Sequence, residues 1–588
     1  MAMAVGAGAA LLANVLTRLI GLITNLAYYG RVSTAFSAPS TVRLGAWSIL
    51  VPIAGAFIVG LMARYGAAAI RGHGIPEVME RVLYARSRIA PRIMFLKPIS
   101  AAIAIGTGGP FGAEGPIIAT GGALGSIVGQ YVRVTADERK TLLAAGAAAG
   151  MAATFGSPVS AVLLAVELLL FEYRPRSVIP VALASAVAAG VRAIFVGTDP
   201  AFTVPSLAQP NLEALSAYTV IGILIGVVSV GVTRFVYWVE DLYEEVPIHW
   251  MWWPVLGAIV VGVIGYFEPR TLGVGYTNID AILSGNIVGV ALLVLIVLKF
   301  LSWSIYLGSG TSGGTLAPLF TIGGGIGAAL GSLGTAFAPS LGVDSHIAAL
   351  VGMAAIFAGA SHALLASVVF AFETTRQPLG LLPLLAGCSA AYLVSLLMMR
   401  SSIMTEKLAR RGARVRTEYA ADYLSQVLVR DGLSREVVSL RSGDRLADVR
   451  RWLATGGRGA SHQGFPVIDE KGELCGVLTR RDLLDANRDG TETIGSLVRR
   501  GAVVVYEDNT MREAADHMVR AGVGRLPVVT RDAPRIVVGI VSRSDLLSAH
   551  EDRLDAAHVP EQSLPLSAPW ARDGAPKRRR RSSAKHES

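Results

Sequence analysis

The sequence predicts a multi-pass α-helical membrane protein with inverted repeats and broken helices, followed by a soluble α/β domain. Three observations predict this class. The 588 residues are 52% hydrophobic and only 16% charged, with a mean hydropathy of +0.52, whereas an ordinary soluble domain is about 25% charged. Charged residues are sparse from Met1 to about Met399 and frequent after Thr405. The apolar part is also repeatedly interrupted by glycine and proline.

That apolar part consists of separate segments. Several are shorter than the roughly 20 residues that a membrane-spanning helix needs, or are broken by glycine and proline. Irregular backbone at membrane depth is tolerated where it is buried in protein or lines a watery cavity, so broken helices favour a transporter or channel. The segments comprise residues 9–29, 44–62, 99–105, 117–132, 142–170, 178–195, 218–237, 252–267, 288–306, 316–337, 347–372 and 381–399.

One carboxylate, Glu114, lies among four glycines in residues 108–116, with long apolar sequence on both sides. Nothing nearby in sequence, other than backbone, offers it a partner. An ionisable residue at membrane depth costs roughly 2.5–3.5 kcal/mol on insertion scales and is functional by default. Gly115 and Pro116 open a predicted helix over 117–132, whose free amides and dipole favour an anion. We therefore expect Glu114 to sit where an anion also binds.

The two halves of the apolar part contain similar motifs. Gly150-Met-Ala-Ala153 recurs as Gly352-Met-Ala-Ala355, and an apolar helix that reaches a glutamate, Glu167 or Glu373, follows each copy. A repeated half with interrupted helices is typical of inverted-repeat transporters. The alternative interpretation is that Gly/Ala-rich membrane helices look alike because small residues let them pack closely.

Four Gly- or Ser-rich segments could converge on one anion. Three of them carry a proline where a helix should begin, and three such starts in one apolar chain are much stronger evidence than one. Chloride is hydrated weakly enough to be held by amides and hydroxyls without a full positive charge. The segments are residues 72–76 (GHGIP), 112–116 (GAEGP), 313–318 (GGTLAP) and 401–404 (SSIM).

These segments closely resemble motifs of the CLC family of chloride channels and proton–chloride antiporters. Residues 72–76 look like the family's GSGIP, 112–116 like its GREGP, and 313–318 like its GGxFxP. The resemblance covers nearly the whole chain in the right order. It implies a homodimer in the lipid bilayer with one anion pathway per subunit, and Glu114 as the gating residue that competes with chloride. The anion-binding residues that it implies are His73, Gly74, Ile75, Pro76, Gly115, Thr315, Leu316, Ala317 and Met404.

Four residues depart from the family pattern. His73 stands where the family has an anion-binding serine; its imidazole N–H can still donate to chloride, and the alternative is a histidine bonded to backbone beside the pathway. Met404 stands where a tyrosine hydroxyl usually coordinates the central ion. Ala113 replaces an arginine and Leu316 replaces a phenylalanine. Anion transport is therefore a firmer expectation than selectivity for chloride.

Proton coupling is the second question. Glu167 matches the first of two adjacent glutamates in the antiporters, whereas their internal proton-transfer acid corresponds to Leu168, which cannot titrate. We interpret Glu167 as an acid that ties helices together, with a proton path as the alternative. We expect transmembrane chloride (anion) transport through a glutamate-gated pathway that is channel-like or weakly proton-coupled. A tightly coupled proton/chloride antiporter is the main alternative.

Two further functions are weaker alternatives. A membrane-embedded enzyme could use Glu114 as a general acid or base, but no nucleophile–base constellation, HExxH motif, phosphate loop or metal cluster accompanies it. We therefore predict that the chain is not an enzyme and needs no cofactor. A membrane-anchored, nucleotide-sensing regulator would not require so many interrupted helices.

The soluble part contains two tandem copies of about sixty residues, over 438–490 and 491–550. They follow the membrane domain (1–408) and a basic linker (409–437), and they resemble CBS domains, which many CLC proteins carry. Strands are expected at 464–468, 476–479, 524–529 and 539–542, with helices at 480–486 and 543–548. Similar Ser/Thr-x-x-Asp turns in CBS domains bind adenosine nucleotides, but the pattern is also an ordinary helix start. The candidate nucleotide-binding residues are Thr479, Asp482, Ser542 and Asp545.

Basic residues predict the topology. Arg410, Arg411 and Arg414 follow the last apolar segment, which favours a cytoplasmic soluble part and a location in the cell (inner) membrane. Residues 551–588, with the basic run 577–581, are expected to be a disordered tail rather than a nucleic-acid site. Cys388 and Cys475 are too few and too far apart to indicate a disulfide framework or a metal cluster.

Overall fold

The computed structural model describes residues 1–558 apart from 206, 208, 412–422, 426, 457–458 and 533–534. The predicted tail beyond residue 558 and much of the predicted linker therefore lie outside the described residues. The chain divides into two compact units, Met1–Tyr419 and Ala420–Ser588.

The first unit is helical throughout its described secondary structure. Within the described residues, eight helical segments are long and apolar enough to cross a membrane, which confirms the predicted multi-pass architecture. The helices are α1 (Ala2–Thr24), α2 (Leu50–Leu61), α3 (Ile75–Tyr84), α4 (Pro91–Gly106), α5 (Glu114–Tyr131), α6 (Ala136–Phe155), α7 (Pro158–Ala165), α8 (Pro175–Val196), α9 (Leu212–Glu244), α10 (Trp253–Phe267), α11 (Tyr276–Leu283), α12 (Gly289–Gly308), α13 (Leu316–Phe337), α14 (Ser345–Ser361), α15 (Leu364–Thr375), α16 (Leu381–Met398) and α17 (Glu406–Arg410).

Two apolar segments that the sequence presents as continuous are each broken into two helices. The segment 142–170 breaks at Gly156, which has a φ of +68° and is followed by the α7 start at Pro158. The segment 347–372 breaks at His362, which has a φ of +60°. Glycine adopts this left-handed conformation without strain and proline suits a first turn. Histidine has neither the conformational freedom of glycine nor the fixed φ of proline. Tertiary contacts therefore impose the second break.

Reciprocal contacts relate the two halves of the first unit by a local two-fold axis. The amide of Gly112 donates to the carbonyl of Gly314 at 3.3 Å, and the amide of Gly314 donates to the carbonyl of Gly112 at 2.9 Å. Each residue plays both roles in this antiparallel bridge, as expected where a local two-fold axis relates two equivalent segments. The predicted repeat is therefore a structural one, with α3 to α8 corresponding to α11 to α16.

Glycines let the helices of each half approach closely. A Cβ on Gly146 of α6 would lie 2.0 Å from the carbonyl oxygen of Gly121 on α5, and one on Gly352 of α14 would lie 2.3 Å from that of Gly323 on α13. Small residues at such crossings are how membrane helices pack without large side chains. Gly352 belongs to the recurring Gly-Met-Ala-Ala motif, whereas Gly146 lies one helical turn before Gly150 of the other copy.

The second unit contains two three-stranded sheets with the orders β1-β2-β3 and β4-β5-β6. In each sheet, the first strand pairs parallel with the second, and the second and third form an antiparallel pair. The elements are α18 (Val429–Gly432), β1 (Leu440–Arg441), α19 (Leu446–Ala454), β2 (Gly464–Ile468), β3 (Leu474–Thr479), α20 (Arg480–Leu483), β4 (Val505–Tyr506), α21 (Met511–Ala521), β5 (Arg525–Val529), β6 (Val537–Ser542) and α22 (Arg543–His558).

This unit follows the predicted α/β order with shifted boundaries. β3 and β6 each begin two residues earlier than predicted, α20 ends at Leu483 rather than at residue 486, and α22 continues to His558. Ser434, which the sequence places in the linker, exchanges two backbone hydrogen bonds of 3.0 Å with Ile540 of β6. Val429 is likewise buried in the core of the second copy.

Candidate functional site at the paired helix starts

The starts of α5 and α13 face each other at the centre of the first unit. Ala113 and Thr315 precede the two helices, which begin at Glu114 and Leu316. The exchanged hydrogen bonds between Gly112 and Gly314 hold the starts together. Because the N-terminal amides of a helix are unpaired and positively polarised, two such starts side by side form a site that favours an anion.

A third helix start, that of α3, packs against the same point. Gly74 has a φ of +95°, and a Cβ there would lie 2.4 Å from the carbonyl oxygen of Gly115. A Cβ on Gly115 would in turn lie 2.0 Å from the carbonyl oxygen of His73. Any side chain at either glycine would push the two starts apart. Both Gly74 of GHGIP and Gly115 of GAEGP are therefore needed for close approach, and Gly74 is also needed for turn geometry.

Glu114 is completely buried between these helix starts. Its Oε1 atom accepts a 2.8 Å hydrogen bond from the hydroxyl of Tyr276, while its Oε2 atom makes no hydrogen bond with any described residue. The amides of Glu114 and Ala317 also favour the carboxylate, without forming a regular hydrogen bond to it. A buried carboxylate with one neutral donor is weakly held. The carboxylate can therefore move to another position or take up a proton.

Tyr276 is the partner that the sequence did not indicate, since it lies far from Glu114 along the chain. It begins α11, the helix that corresponds to α3 in the first half. The internal repeat could have indicated Tyr276, because Gly72-His-Gly-Ile75 aligns with Gly273-Val-Gly-Tyr276. The second copy of this motif thus supplies a hydroxyl where the first supplies an apolar side chain.

His73 is 6% exposed, and its Nδ1 atom has no partner within the described part of the chain. The charged groups that act on it are Glu77, Lys97 and Lys407. Glu77 accepts a 2.7 Å hydrogen bond from the amide of Gly74 and so caps α3. Lys407 Nζ lies 3.8 Å from carboxylate oxygens of both Glu77 and Glu240. An unbonded imidazole nitrogen beside two lysines fits an anion better than a histidine tied to backbone by that atom.

Two buried lysines support the loops before α3 and α11. Lys97 Nζ donates to the carbonyls of Ile70 and Gly72, both at 2.8 Å. Lys299 Nζ donates to the carbonyls of Thr271 and Gly273, at 2.9 and 3.1 Å. The pair obeys the same two-fold relationship as the helix starts. A lysine inside an apolar segment was the sequence signal for both.

The remaining predicted anion-binding residues are placed as follows. Ile75 and Pro76 form the first turn of α3, and Leu316 and Ala317 form that of α13. Thr315 is buried, and its hydroxyl has no hydrogen-bond partner among the residues that the structure describes. Met404 lies in the same apolar core, where its side chain brings a thioether and no hydroxyl. The assignments of these residues to anion binding stay predictions.

Glu167 and Glu373 make equivalent contacts across the local two-fold axis. The Glu167 carboxylate accepts hydrogen bonds from the amides of Leu365 and Ala366 at the start of α15, both at 3.0 Å. The Glu373 carboxylate accepts them from the amides of Val159 and Ser160 at the start of α7, at 3.0 and 2.8 Å. Each glutamate caps a helix of the other half. This geometry matches the interpretation of Glu167 as an acid that ties helices together.

The predicted nucleotide-binding turns in the second unit also act as helix caps. Asp482 Oδ2 accepts hydrogen bonds from the amide and hydroxyl of Thr479, at 2.8 and 2.6 Å. Asp545 Oδ2 does the same with Ser542, at 2.7 and 2.8 Å. Only the first pair lies among the described residues that line a cavity of about 750 Å³. That cavity also contains four arginines, namely Arg488, Arg499, Arg500 and Arg525.

The two-fold repeat, the broken helices and the paired helix starts around a buried carboxylate define a membrane transport protein. Residues 54–396 match the family described as voltage gated chloride channel, and residues 429–489 and 494–552 each match the CBS domain. The chain therefore belongs to the CLC family of channels and transporters and carries a tandem CBS pair. Family membership confirms the predictions of fold class and of a non-enzymatic transport protein.

Named relatives and a solved structure agree with this assignment. The chain is 28% identical over 563 residues to chloride channel protein CLC-f of Arabidopsis thaliana, covering 82% of this chain and 70% of that protein. It is 30% identical over 373 residues to the H(+)/Cl(−) exchange transporter ClcA of Vibrio parahaemolyticus, covering 62% of this chain and 79% of that protein. The crystal structure of a slow cyanobacterial Cl−/H+ antiporter superposes with a TM-score of 0.63 at 22% identity, covering 70% of this chain and 96% of that one. The last similarity bears on the fold alone.

Proposed function

We propose that this protein transports chloride across a membrane through a pathway gated by Glu114, in a channel-like or weakly proton-coupled manner. One observation carries the proposal: a fully buried carboxylate lies between two paired helix starts and has an oxygen without a hydrogen-bond partner among the described residues. The helix starts favour an anion at the same point, so carboxylate and chloride compete for it. The names of the relatives, a chloride channel protein and a chloride exchanger, support chloride as the substrate.

The contacts of residues 167 and 168 support weak coupling between proton and chloride transport. Leu168 is buried and has no group that can carry a proton. Its neighbour Glu167 has both carboxylate oxygens engaged by backbone amides. A proton acceptor on this side of the pathway would have to break those two hydrogen bonds. Tightly coupled proton/chloride exchange is the second candidate, because relatives such as ClcA are named exchangers.

Chloride efflux from liposomes that contain the purified full-length protein tests the proposal. With potassium chloride inside and valinomycin present, so that potassium carries the compensating charge, we expect efflux above that of protein-free liposomes. We expect this efflux to persist when no protonophore is present. Efflux that requires a protonophore would support tight exchange instead, since coupled exchange stops when protons cannot return. The absence of protein-dependent flux at every pH and voltage would contradict anion transport altogether.

The assembly and topology belong to the same proposal. We infer a homodimer with one pathway per subunit, embedded in the cell membrane with the CBS pair in the cytoplasm. Arg410 and Arg411 at the end of α17 support the cytoplasmic assignment, because basic residues beside membrane segments remain on that side.

The CBS pair supports a second proposed function, the binding of an adenosine nucleotide in the cavity beside Thr479 and Asp482. Four arginines in that cavity match the charge of a polyphosphate. Calorimetry of the full-length protein with ATP, ADP and AMP tests this proposal. We expect Asp482→Ala to abolish the heat of binding. Asp545→Ala is the matched control, since Asp545 is absent from this cavity, and it should bind normally. Equal loss in both variants, or no binding by the unaltered protein, would contradict the assignment.

A further inference from the structure

A cavity of about 210 Å³ approaches Glu114 from the side of α1 and α8. Ala113 and Tyr276, which are respectively the chain neighbour and the hydrogen-bond donor of Glu114, lie in its wall. Asn14, Thr17 and Arg192 contribute the polar groups farther along the same wall. The cavity therefore lies beside the site of Glu114, although the Glu114 side chain is not among its described lining residues.

Arg192 is the one cationic side chain among the described residues that line this cavity, and no acidic side chain is among them. Its Nε donates to the carbonyl of Thr154 at 3.4 Å and its Nη1 to that of Gly197 at 3.2 Å. A guanidinium carries five N–H donors and cannot lose its charge in a protein. Three donors therefore remain for another acceptor.

The backbone around Arg192 leaves room for this guanidinium. Gly156, at the break between α6 and α7, has a φ of +68°, and a Cβ there would lie 3.0 Å from Arg192 Nη1. The break that ends α6 therefore brings the guanidinium close to the backbone at the level of Thr154. The carbonyls of Thr154 and Gly197 fix its position without neutralising it.

The electrostatic surroundings favour an anion here. Arg376, whose Nη2 donates to the carbonyl of Thr198, is the charged side chain that acts on Arg192, and it has the same sign. Ala113, beside Glu114 in the GAEGP segment, carries no charge at the position where the similar motif has arginine. A cleft lined by one sign of charge raises the local concentration of counter-ions and their rate of entry.

We propose that Arg192 recruits the permeating anion into the cavity beside Glu114, and that it supplies from α8 the positive charge that Ala113 lacks. The inference rests on the proposed anion transport and identifies the residue that sets how well the pathway captures a small monovalent anion. A purely structural role is the competing explanation, because the same guanidinium bonds carbonyls at the ends of α6 and α8. Charge and hydrogen bonding can be separated by substitution.

The test is chloride flux by the full-length protein in liposomes, measured over a range of chloride concentrations at low and at high ionic strength. We expect Arg192→Gln to raise the chloride concentration for half-maximal flux roughly threefold to tenfold at low salt, and less at high salt where charges are screened. Arg192→Lys keeps the charge and should stay close to the unaltered protein. Ala113→Arg in the Arg192→Gln background should restore part of the loss, because it returns the charge from the other wall.

Arg376→Gln is the comparison variant: Arg376 is not among the described lining residues, so its loss should raise half-saturation less than Arg192→Gln does. The inference is overturned if Arg192→Gln leaves half-saturation unchanged, or if Arg192→Lys is as impaired as Arg192→Gln with a lowered melting temperature. The second result would assign Arg192 to helix capping. Flux by the unaltered protein distinguishes this failure from failure of the proposed transport itself, which would leave no protein-dependent flux in any variant.

Discussion

Glu114 differs from Glu167 and Glu373 in how its carboxylate is bonded, although all three lie in the same apolar unit. Both oxygens of Glu167 and of Glu373 accept backbone amides at the start of a helix. Glu114 accepts one regular hydrogen bond, from the Tyr276 hydroxyl, and has an oxygen that bonds no described residue. A fully bonded carboxylate holds two elements together, whereas a half-bonded one can leave its place at small cost. Glu114 is fully buried and incompletely bonded, whereas Glu167 and Glu373 are partly buried and have both oxygens bonded.

The largest expected effect is on stability. Glu167→Ala and Glu373→Ala should each lower the free energy of unfolding by about 2–3 kcal/mol, because each leaves two helix-start amides without a partner where water is scarce. Thermal unfolding of the purified protein in detergent measures the loss. Glu114→Ala is the control: it removes one neutral hydrogen bond and also a costly buried charge, so its loss should be smaller. A larger loss in Glu114→Ala than in Glu373→Ala would break the comparison.

Tyr276→Phe should free the Glu114 side chain to move while leaving the fold intact. The ring keeps its edge contact with Phe155, whose centroid lies 5.6 Å away, and only the hydroxyl that holds Glu114 is lost. A hydrogen bond to a charged group contributes about 1.5 kcal/mol, so chloride flux at fixed pH should rise roughly tenfold. Tyr218→Phe is the control, since the Tyr218 hydroxyl accepts from the Asp344 amide instead. Unchanged flux in Tyr276→Phe would mean that the tyrosine does not restrain Glu114.

The smallest expected effect concerns the second helix start, which has no acid. Thr315→Val should reduce chloride flux about threefold, because it removes a hydroxyl that bonds no described residue and so is free for the anion, while keeping the side-chain shape. Thr321→Val on the same helix is the control, since the Thr321 hydroxyl bonds the carbonyl of Ala317. Chloride flux from liposomes is measured for both variants. Equal reduction in the two would argue for a general disturbance of α13.

Much of the site could be predicted from local sequence because each motif contains its own physical cause. Glycine permits close approach, proline starts a helix, and a lone carboxylate in apolar sequence needs a function. Those rules located Glu114, Gly115 and the starts of α3, α5 and α13. The strand and helix order of the second unit followed from its two repeated patterns in the same way.

The rest depended on contacts between distant residues. No local pattern pairs Tyr276 with Glu114, or directs Glu167 to the amides of α15, because the local two-fold axis creates those contacts only after folding. The break after α14 illustrates the same limit. His362 adopts a left-handed φ that the sequence would assign to glycine, and its Nε2 lies 3.0 Å from the hydroxyl of Ser395 on α16.

The pH dependence of chloride efflux in Glu114→Gln tests the central claim most directly, with Glu167→Gln as the matched control. Both substitutions remove a titratable carboxyl from the same unit and keep the side-chain size. We predict that efflux by the unaltered protein and by Glu167→Gln changes with pH, whereas efflux by Glu114→Gln does not. If the efflux by Glu114→Gln still depends on pH, or if the efflux by Glu167→Gln no longer does, the assignment of Glu114 as the gate is contradicted.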